Sequence, residues 1–354
     1  MSNYNLNDKR VLQFKGLNVI IIVLVSLFFF RNSIIAQDVH FSQLLSTPVL
    51  TNPANTGISD EQLRFATDYR NQWASIGIPY NTFYASLDNK LSIRNQLFGI
   101  GIAFVHDQSS GYSLSAEKTL LSVSYSMFYK NNQFVIGIQP SLVYKYFSNS
   151  GLTFGSQYDP YGRVFNQNLP SYENHLNDYM HYLDLNVGIL WRANIKSLIP
   201  IAGFSISHFT RPMESFMNDS SGNHLHREFT FHGQLTIPVN QKYDVTPCFL
   251  FSYIPGAREL LAGGIGGYNP GNFFIPVKKI YVINLYRINP ARNIDAIIIG
   301  GGFKFLKFDL GISYDINVSS LSRATNFRGA FEVSLIYTGG ARKTGNVVEP
   351  CFIY

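Results

Sequence analysis

The chain has 354 residues, of which only 14% are charged while 15% are aromatic. About a quarter of the residues of a soluble globular protein are charged, so this composition argues against soluble domains. A helical membrane protein is also excluded, because it needs several apolar runs of about 20 residues and the chain has only one long apolar run, near its N-terminus. The net charge of +6 is spread along the chain, which excludes a nucleic-acid-binding face.

Residues 1–36 have the pattern of an export signal peptide. Lys9 and Arg10 precede the apolar run Leu17–Phe30, and the small residue Ala36 follows at a cleavage position. The run is shorter than the about 20 residues that a membrane-spanning helix needs. The sequence therefore predicts that the signal peptide is removed after Ala36 and that the protein is exported.

Residues 37–60 contain Thr-Pro and Asn-Pro steps, which favour extended and turn conformations rather than a helix. This segment precedes the first predicted strand. It is expected to lie either in the periplasm, where it would bind a partner, or in the lumen of the barrel described next, where it would act as a plug. The sequence alone leaves both locations open.

From residue 61 onward, apolar and polar residues alternate with the period of two that is typical of β-strands. In the clearest hairpin, residues 121–129 and 133–147 are joined by a short turn, and each strand has the length that a tilted membrane-crossing strand needs, about ten residues. Fourteen strands are predicted at 62–70, 81–91, 97–107, 117–129, 133–147, 182–192, 199–209, 228–238, 245–253, 259–268, 279–287, 295–304, 306–315 and 329–338.

These strands predict an all-β fold, a single transmembrane antiparallel up-and-down β-barrel over residues 61–338 with 339–354 as a periplasmic tail. An even number of strands brings both barrel ends to one side, and closure leaves no unpaired edge in lipid. Predicted connections alternate between short and long, with the long ones at 148–181, 210–227 and 316–328 and one exception at 269–278. Aromatic residues gather at both rims, as in outer-membrane barrels. Pro140 and Pro247, inside strands, predict β-bulges.

The first exported residues carry an ordered set of short motifs. A Gln-Asp start leads to Phe-Ser-Gln, then to an Asn-Pro-Ala turn with a following glycine, and then to Tyr-Arg-Asn-Gln-Trp. The residues are Gln37, Asp38, Phe41, Ser42, Gln43, Asn52, Pro53, Ala54, Gly57, Tyr69, Arg70, Asn71, Gln72 and Trp73. This combination resembles the N-terminal signature of the PorP/SprF family of the type IX secretion system.

The resemblance implies an outer-membrane β-barrel of Bacteroidota that works with the type IX secretion system. Family members support the delivery or surface attachment of large exported adhesin-like proteins, in some organisms in connection with gliding motility. The implied partners are outer-membrane lipid, secretion components and the exported cargo. The family's Cys-Pro pair near the C-terminus occurs here in the order Pro350-Cys351.

The signature residues allow two interpretations. Arg70, Asn71, Gln72 and Trp73 end the first strand at the outer rim, where they would dock a partner or fix an outer loop. In the structural alternative, which the residue types favour, they form a turn whose arginine ties carboxylates inside the barrel.

No motif for catalysis, for a cofactor or for a metal stands out, and the chain is not expected to be an enzyme. His224, His226 and Asp219 share a predicted outer loop, but no ligand spacing distinguishes them from a solvated loop. Two functions remain: a secretion accessory, or a passive or substrate-selective outer-membrane pore. Inward positions are mainly Ser, Gly, Asn and Thr, which argues mildly against the charged rings of an ion-selective channel.

The two cysteines suggest a further hypothesis. Cys248 is predicted to face the lumen near the periplasmic end, and Cys351 lies in the predicted periplasmic tail. Because the periplasm is oxidising, a tail folded into the lumen would allow a disulfide between them. A free or buried thiol at each position is the alternative.

Overall fold

The structure is a computed structural model that describes residues 39–74, 77–109, 114–147, 155–166, 168–170, 177–216, 222–271, 276–290 and 293–340. The compact unit discussed below takes in the described residues up to 254 and from 258 onward. The predicted signal peptide, the first two signature residues and all but the first two residues of the predicted C-terminal tail lie outside the described residues. Among the described residues, no helix is long and apolar enough to cross a membrane.

The chain folds into a closed antiparallel barrel of fourteen strands, which confirms the predicted fold class and strand number. Each barrel strand pairs with the next along the chain, and the last pairs with the first. A separate two-stranded hairpin, β6–β7, lies in the longest connection. The strands are β1 Leu63–Gln72, β2 Tyr80–Ile93, β3 Gln96–Ser109, β4 Leu114–Tyr129, β5 Asn132–Phe147, β6 Tyr158–Asp159, β7 Val164–Phe165, β8 Tyr179–Ala193, β9 Ile199–Ser207, β10 Glu228–Pro238, β11 Tyr243–Ile254, β12 Ala257–Tyr268, β13 Val277–Asn289, β14 Asn293–Phe305, β15 Phe308–Asn317 and β16 Arg328–Gly339.

In the part of the chain that the structure describes, helical structure is confined to short pieces. A single α-turn, α1, covers Pro48–Thr51, and 3₁₀ turns cover Pro53–Asn55 and Gly155–Gln157. The first two lie in the segment that precedes β1.

The two faces of the strands differ as the alternation predicts. In β5 the large apolar residues Ile136, Ile138 and Leu142 are about half exposed, while Gln139 and Ser141 between them are buried. Exposed apolar residues thus cover the outside of the barrel, and polar residues face the lumen. This is the reverse of a soluble protein, and it is the distribution expected of a barrel whose outer surface meets lipid.

The bulges predicted at the two strand prolines are wrong. Pro140 pairs with Leu185 in an unbroken register, and the register of β10 with β11 is the same on either side of Pro247. Proline removes one N–H donor from a ladder but does not insert a residue, so the register continues through it. Among the described strands, the register shifts lie instead between Val277 and Lys279, between Arg287 and Ile288, and between Tyr314 and Ile316.

The two ends of the barrel differ in their connections. Leu63 at the start of β1 pairs with Gly339 at the end of β16, so both lie at one end, which we call the inner end. The short β4–β5, β8–β9 and β14–β15 turns lie at this inner end. The long connections between β5 and β8, between β9 and β10, and between β15 and β16 lie at the opposite, outer end. The three long connections are therefore at the predicted end, and the connection between β12 and β13 at the inner end is the predicted exception to the alternation.

The outer connections should be exposed on intact cells. The β6–β7 hairpin belongs to the longest of them, and Tyr161 at its tip is 98% exposed. An epitope tag inserted after Tyr161 should therefore be labelled by an antibody on intact cells. The matched control is a tag after Asn240, in the β10–β11 turn at the inner end, which should be labelled only after lysis. The reverse labelling pattern would contradict the predicted orientation.

Candidate functional site

The segment before β1 runs through the inside of the barrel. We define residues 39–58 as the plug segment. Of the two locations expected for it, the structure places it in the lumen, where inward side chains bind its main chain. The carbonyl oxygens of Val49 and Thr51 accept hydrogen bonds from the side chains of Gln139 and Ser205, each at 3.0 Å. The carbonyl oxygen of Thr56 accepts one from the Ser124 hydroxyl at 2.6 Å.

The plug segment is folded by its two proline steps. Pro48 and Pro53 each begin a helical turn, a position where proline is favoured because no N–H is needed there. Asn52 caps the second turn, since its Oδ1 accepts a hydrogen bond from the Ala54 N–H at 2.8 Å. The Nδ2 of the same side chain donates to the carbonyl oxygen of Ile189 on β8 at 3.1 Å. The Asn-Pro-Ala motif is therefore a capped turn that also bonds to the barrel wall.

Glycines of the strands allow this turn to approach the wall. A Cβ atom added to each of them would lie far inside van der Waals contact with plug atoms, closer than side chains tolerate. The distances would be 2.4 Å from Gly137 to the Pro53 carbonyl carbon, 2.0 Å from Gly188 to Asn52 Oδ1 and 2.2 Å from Gly99 to the Thr56 carbonyl oxygen. Gly137 and Gly188 pair directly across β5 and β8. The plug backbone thus rests on the strand backbones.

An arginine–aspartate pair holds the inner end of the plug segment. Arg64 on β1 donates from Nε and Nη2 to the two carboxylate oxygens of Asp88 on β2, both at 2.9 Å. The same guanidinium donates to the carbonyl oxygens of Asn55 at 2.8 Å and Ile58 at 3.0 Å. Asp88 also accepts from the Gly57 N–H at 2.7 Å, and Gly57 has a φ of +73° that favours glycine. One buried ion pair therefore fixes three plug residues.

A second charged cluster lies toward the outer end. Arg70 on β1 donates to Asp315 on β15 at 3.0 Å and forms a short contact with Glu332 on β16. Arg287 on β13 donates to the same Asp315 oxygen at 2.7 Å. All four side chains are buried. Charge-assisted hydrogen bonds of this kind are strong, and their removal from a buried site is costly because a charge is left without a partner.

This cluster binds the plug segment at Ser42 and Gln43. The two carboxylate oxygens of Glu332 accept hydrogen bonds from the N–H of Ser42 at 2.6 Å and the N–H of Gln43 at 2.8 Å. The Ser42 hydroxyl donates to Asp315 at 2.8 Å and accepts from Arg70 Nη1 at 2.7 Å. The plug is thus recognised through its main chain and through one small hydroxyl.

Two β-bulges adjoin this cluster. The register shift of β13 against β14 follows Arg287, and the shift of β15 against β16 surrounds Asp315. A bulge inserts one residue into one strand, which bends the strand and turns the neighbouring side chains. The irregularities are therefore at the two positions whose side chains converge on Ser42.

Apolar side chains of the plug segment pack on opposite walls. Phe41 lies against Tyr84 of β2, with 6.1 Å between ring centroids, and belongs to a buried cluster with residues of β1, β3 and β4. Leu44 packs against a second cluster of inward residues from β11 to β14, which includes Leu261 and Leu285. Because Phe41 and Leu44 contact different walls, the plug joins opposite sides of the lumen.

The signature residues follow from this arrangement. Phe41, Ser42, Gln43, Asn52, Pro53, Ala54 and Gly57 all lie in the plug segment, while Gln37 and Asp38 lie outside the described residues. Arg70 ties carboxylates inside the barrel, as the structural interpretation expects. The expected turn is wrong for Arg70, Asn71 and Gln72, which belong to β1 and pair with β2 and β16. At the end of β1, Gln72 accepts from Arg70 at 3.2 Å, Tyr69 and Asn71 donate to Asn81 at 2.9 and 2.6 Å, and Trp73 packs edge-on against Tyr80.

The remaining candidates are placed as follows. Cys248 is buried and faces the lumen within the cluster that contacts Leu44, as predicted for its orientation. Cys351 lies outside the described residues, so the disulfide stays a hypothesis. Asp219 also lies outside them. No group of three or more His, Cys, Asp or Glu side chains within the described part of the chain is arranged to hold a metal ion.

Several residues that build the site were not singled out from the sequence. They are Arg64, Asp88, Arg287, Asp315 and Glu332, together with Gly99, Gly137 and Gly188. One available signal was a charged residue or a glycine at an inward position of a strand. A charged residue or a glycine in the middle of a strand lowers the stability of the fold unless a group inside the barrel bonds to it or packs against it.

The chain matches one family model and is distantly similar to several solved structures. The family model described as type IX secretion system membrane protein PorP/SprF matches residues 33–337. No curated protein matches the chain. Among solved structures, the chain is similar to a deltaS2 mutant of the TodX monoaromatic hydrocarbon channel, with 11% identity, a TM-score of 0.48, and coverage of 82% of this chain and 93% of that one. The toluene transporter TbuX of Ralstonia pickettii gives 8% identity, a TM-score of 0.46 and coverages of 82% and 92%. A mutant of the Rh. blastica porin has 10% identity to this chain and a TM-score of 0.32, with coverage of 78% of this chain and 98% of that one.

Proposed function

Because the chain belongs to the PorP/SprF family of type IX secretion system membrane proteins, we propose that it is an outer-membrane accessory of that system. Its role is to support the delivery or the surface attachment of large exported adhesin-like proteins. It works as a closed scaffold that presents its outer loops to an exported partner, and not as a passive pore.

The observation that carries this proposal is the occupied lumen. A passive pore needs a water-filled path, whereas here the plug segment bonds to strands on opposite sides of the barrel. Asn52 bonds to β8, Gln139 of β5 donates to the plug, and Glu332 of β16 accepts two of its N–H groups. The plug also packs so closely against the wall at Gly137 that a Cβ atom has no space there. Such fixed contacts favour a scaffold over a channel.

Deletion of the gene tests this function. We expect the large adhesin-like proteins to be absent from the cell surface, because their delivery or attachment depends on the scaffold. Uptake of small hydrophilic and aromatic solutes should be unchanged, because a filled barrel contributes no pathway. Surface display is measured by protease shaving and mass spectrometry, and solute uptake is measured with radiolabelled compounds.

The control is the same deletion strain carrying the wild-type gene on a plasmid, which should recover display. Normal adhesin display together with loss of uptake of a solute would contradict the proposal and support the alternative, a substrate-selective outer-membrane pore.

A further inference from the structure

We propose that the lumenal wall around residues 41–44 is a peptide-binding site, which the plug segment occupies in cis. A short segment of another polypeptide with the same order of side chains, aromatic, small hydroxyl, amide and aliphatic, and with the same turn after the amide, is the class of ligand that this site takes. That the natural ligand is a segment of an exported partner rests on the proposed function. The binding chemistry does not depend on it.

The first argument is main-chain recognition. Glu332 uses both carboxylate oxygens for two successive N–H groups, those of Ser42 and Gln43, at 2.6 and 2.8 Å. Arg70 holds this carboxylate in place from the neighbouring strand β1. A carboxylate that accepts from two consecutive amides binds a backbone in one conformation and direction. It does so for any non-proline sequence that supplies those amides.

The second argument is a subsite for each side chain. Ser42 has a polar subsite that only a small hydroxyl fills, since its Oγ donates to Asp315 and accepts from both Arg70 and Arg287. For Gln43, Oε1 accepts from Ser334 at 2.6 Å, and a Cβ at Gly311 would lie 2.5 Å from the same oxygen. These contacts select for shape and for hydrogen-bonding groups at two adjacent positions.

The third argument is the apolar subsites on either side of the polar pair. Phe41 enters a cluster that contains Tyr84 and Leu120, and Leu44 packs against a different cluster that contains Leu261 and Leu285. Separate pockets for different side chains give specificity in peptide recognition. The four residues together therefore form a complete ligand within the chain.

This part of the plug is also separable from the rest. The inner part is held independently by the Arg64–Asp88 pair and by the glycine contacts. At the site of residues 41–44, the buried atoms Gln43 Nε2, Arg287 Nε and Asp315 Oδ1 have no hydrogen-bond partner among the described residues. Departure of the cis segment would let water reach these groups, and their hydration would offset part of the lost contacts. This hydration favours exchange of ligands at the site of residues 41–44.

The test uses the nonapeptide Val-His-Phe-Ser-Gln-Leu-Leu-Ser-Thr, which is the sequence of residues 39–47, with a fluorescent label. The protein is a purified chain with residues 39–46 deleted, whose folding is judged by heat-modifiable mobility on gels. We expect saturable binding by anisotropy to this variant. Binding should weaken at least tenfold with alanine at the Ser42 position of the peptide, and at least tenfold when Glu332→Gln is added to the barrel. The wild-type chain should bind at least tenfold more weakly, because its own segment occupies the site.

The matched control is Glu117→Gln, a carboxylate on the outer face of β4 that should leave peptide binding unchanged. Absence of saturable binding to a folded deletion variant, or equal binding of a scrambled peptide, would overturn the proposal. If the deletion variant does not fold, the full chain with Phe41→Ala and Leu44→Ala replaces it. The labelled peptide should then bind that variant at least tenfold more tightly than it binds the wild-type chain, and equal binding would overturn the proposal. Failure of peptide binding would leave the adhesin-display result intact, so the two proposals fail separately.

Discussion

Replacement of Glu332 by alanine should lower the free energy of unfolding by about 3–5 kcal/mol, the usual cost of removing one partner of a buried ion pair. Glu332 is fully buried, and its loss removes one of the two carboxylate partners of Arg70. It also leaves the N–H groups of Ser42 and Gln43 without an acceptor in the lumen. Each unsatisfied buried donor adds a cost of about 1–3 kcal/mol, which water entering the site partly relieves.

The measurement is reversible urea unfolding of the protein in lipid vesicles. Glu332→Gln retains one acceptor oxygen, and we expect a smaller loss than for alanine. Glu117→Ala is the matched control, because this carboxylate is on the outer face and faces His106 at 3.6 Å. A change of at most about 0.5 kcal/mol is expected there. Equal effects of Glu332→Ala and Glu117→Ala would contradict the assigned role of Glu332 in holding the plug.

The substitution Gly137→Ala should displace the Asn-Pro-Ala turn from the wall and open a path through the barrel. The added Cβ would lie 2.4 Å from the Pro53 carbonyl carbon and 2.5 Å from the Ala54 nitrogen, both backbone atoms that no rotamer change moves. Overpacking of this kind costs about 1–3 kcal/mol, enough to favour a state in which the turn has left. In planar bilayers we expect the wild-type protein to conduct rarely and the variant to show frequent, long-lived openings.

Gly264→Ala is the control for this experiment. A Cβ at Gly264 would have its nearest neighbour at 3.6 Å, an ordinary van der Waals distance, so both conductance and stability should remain close to wild type. Equal conductance of the wild type and the Gly137→Ala variant would show that the turn does not close the barrel. High conductance of the wild type would contradict the closed scaffold itself.

For Arg70, the sequence predicted the role of the residue but not its partners. In the structural interpretation of the signature, the residue was expected to tie carboxylates inside the barrel. Its partners, Asp315 and Glu332, are more than 200 positions away along the chain. Alternation identifies which face a residue belongs to, but the pairing depends on which strands become neighbours when the barrel closes.

The bulges give the opposite case, in which a local signal was misleading. Proline in a strand predicted a bulge at Pro140, yet the ladder passes through it in register. The actual shift beside Asp315 has no proline. A bulge places an extra residue of one strand opposite its partner strand, so it is a property of the strand pair and not of one residue.

The sequence by itself determined the fold class, the fourteen strands, the order of long and short connections and the family signature. These follow from local patterns, since a period of two and a turn residue act over a few positions. Only the tertiary structure decided that residues 39–58 fill the lumen and that Gly137, Asp88 and Glu332 receive them. Polar residues on an inward face are equally compatible with water and with a peptide. Their partner is set by barrel closure, which brings distant strands around one short segment.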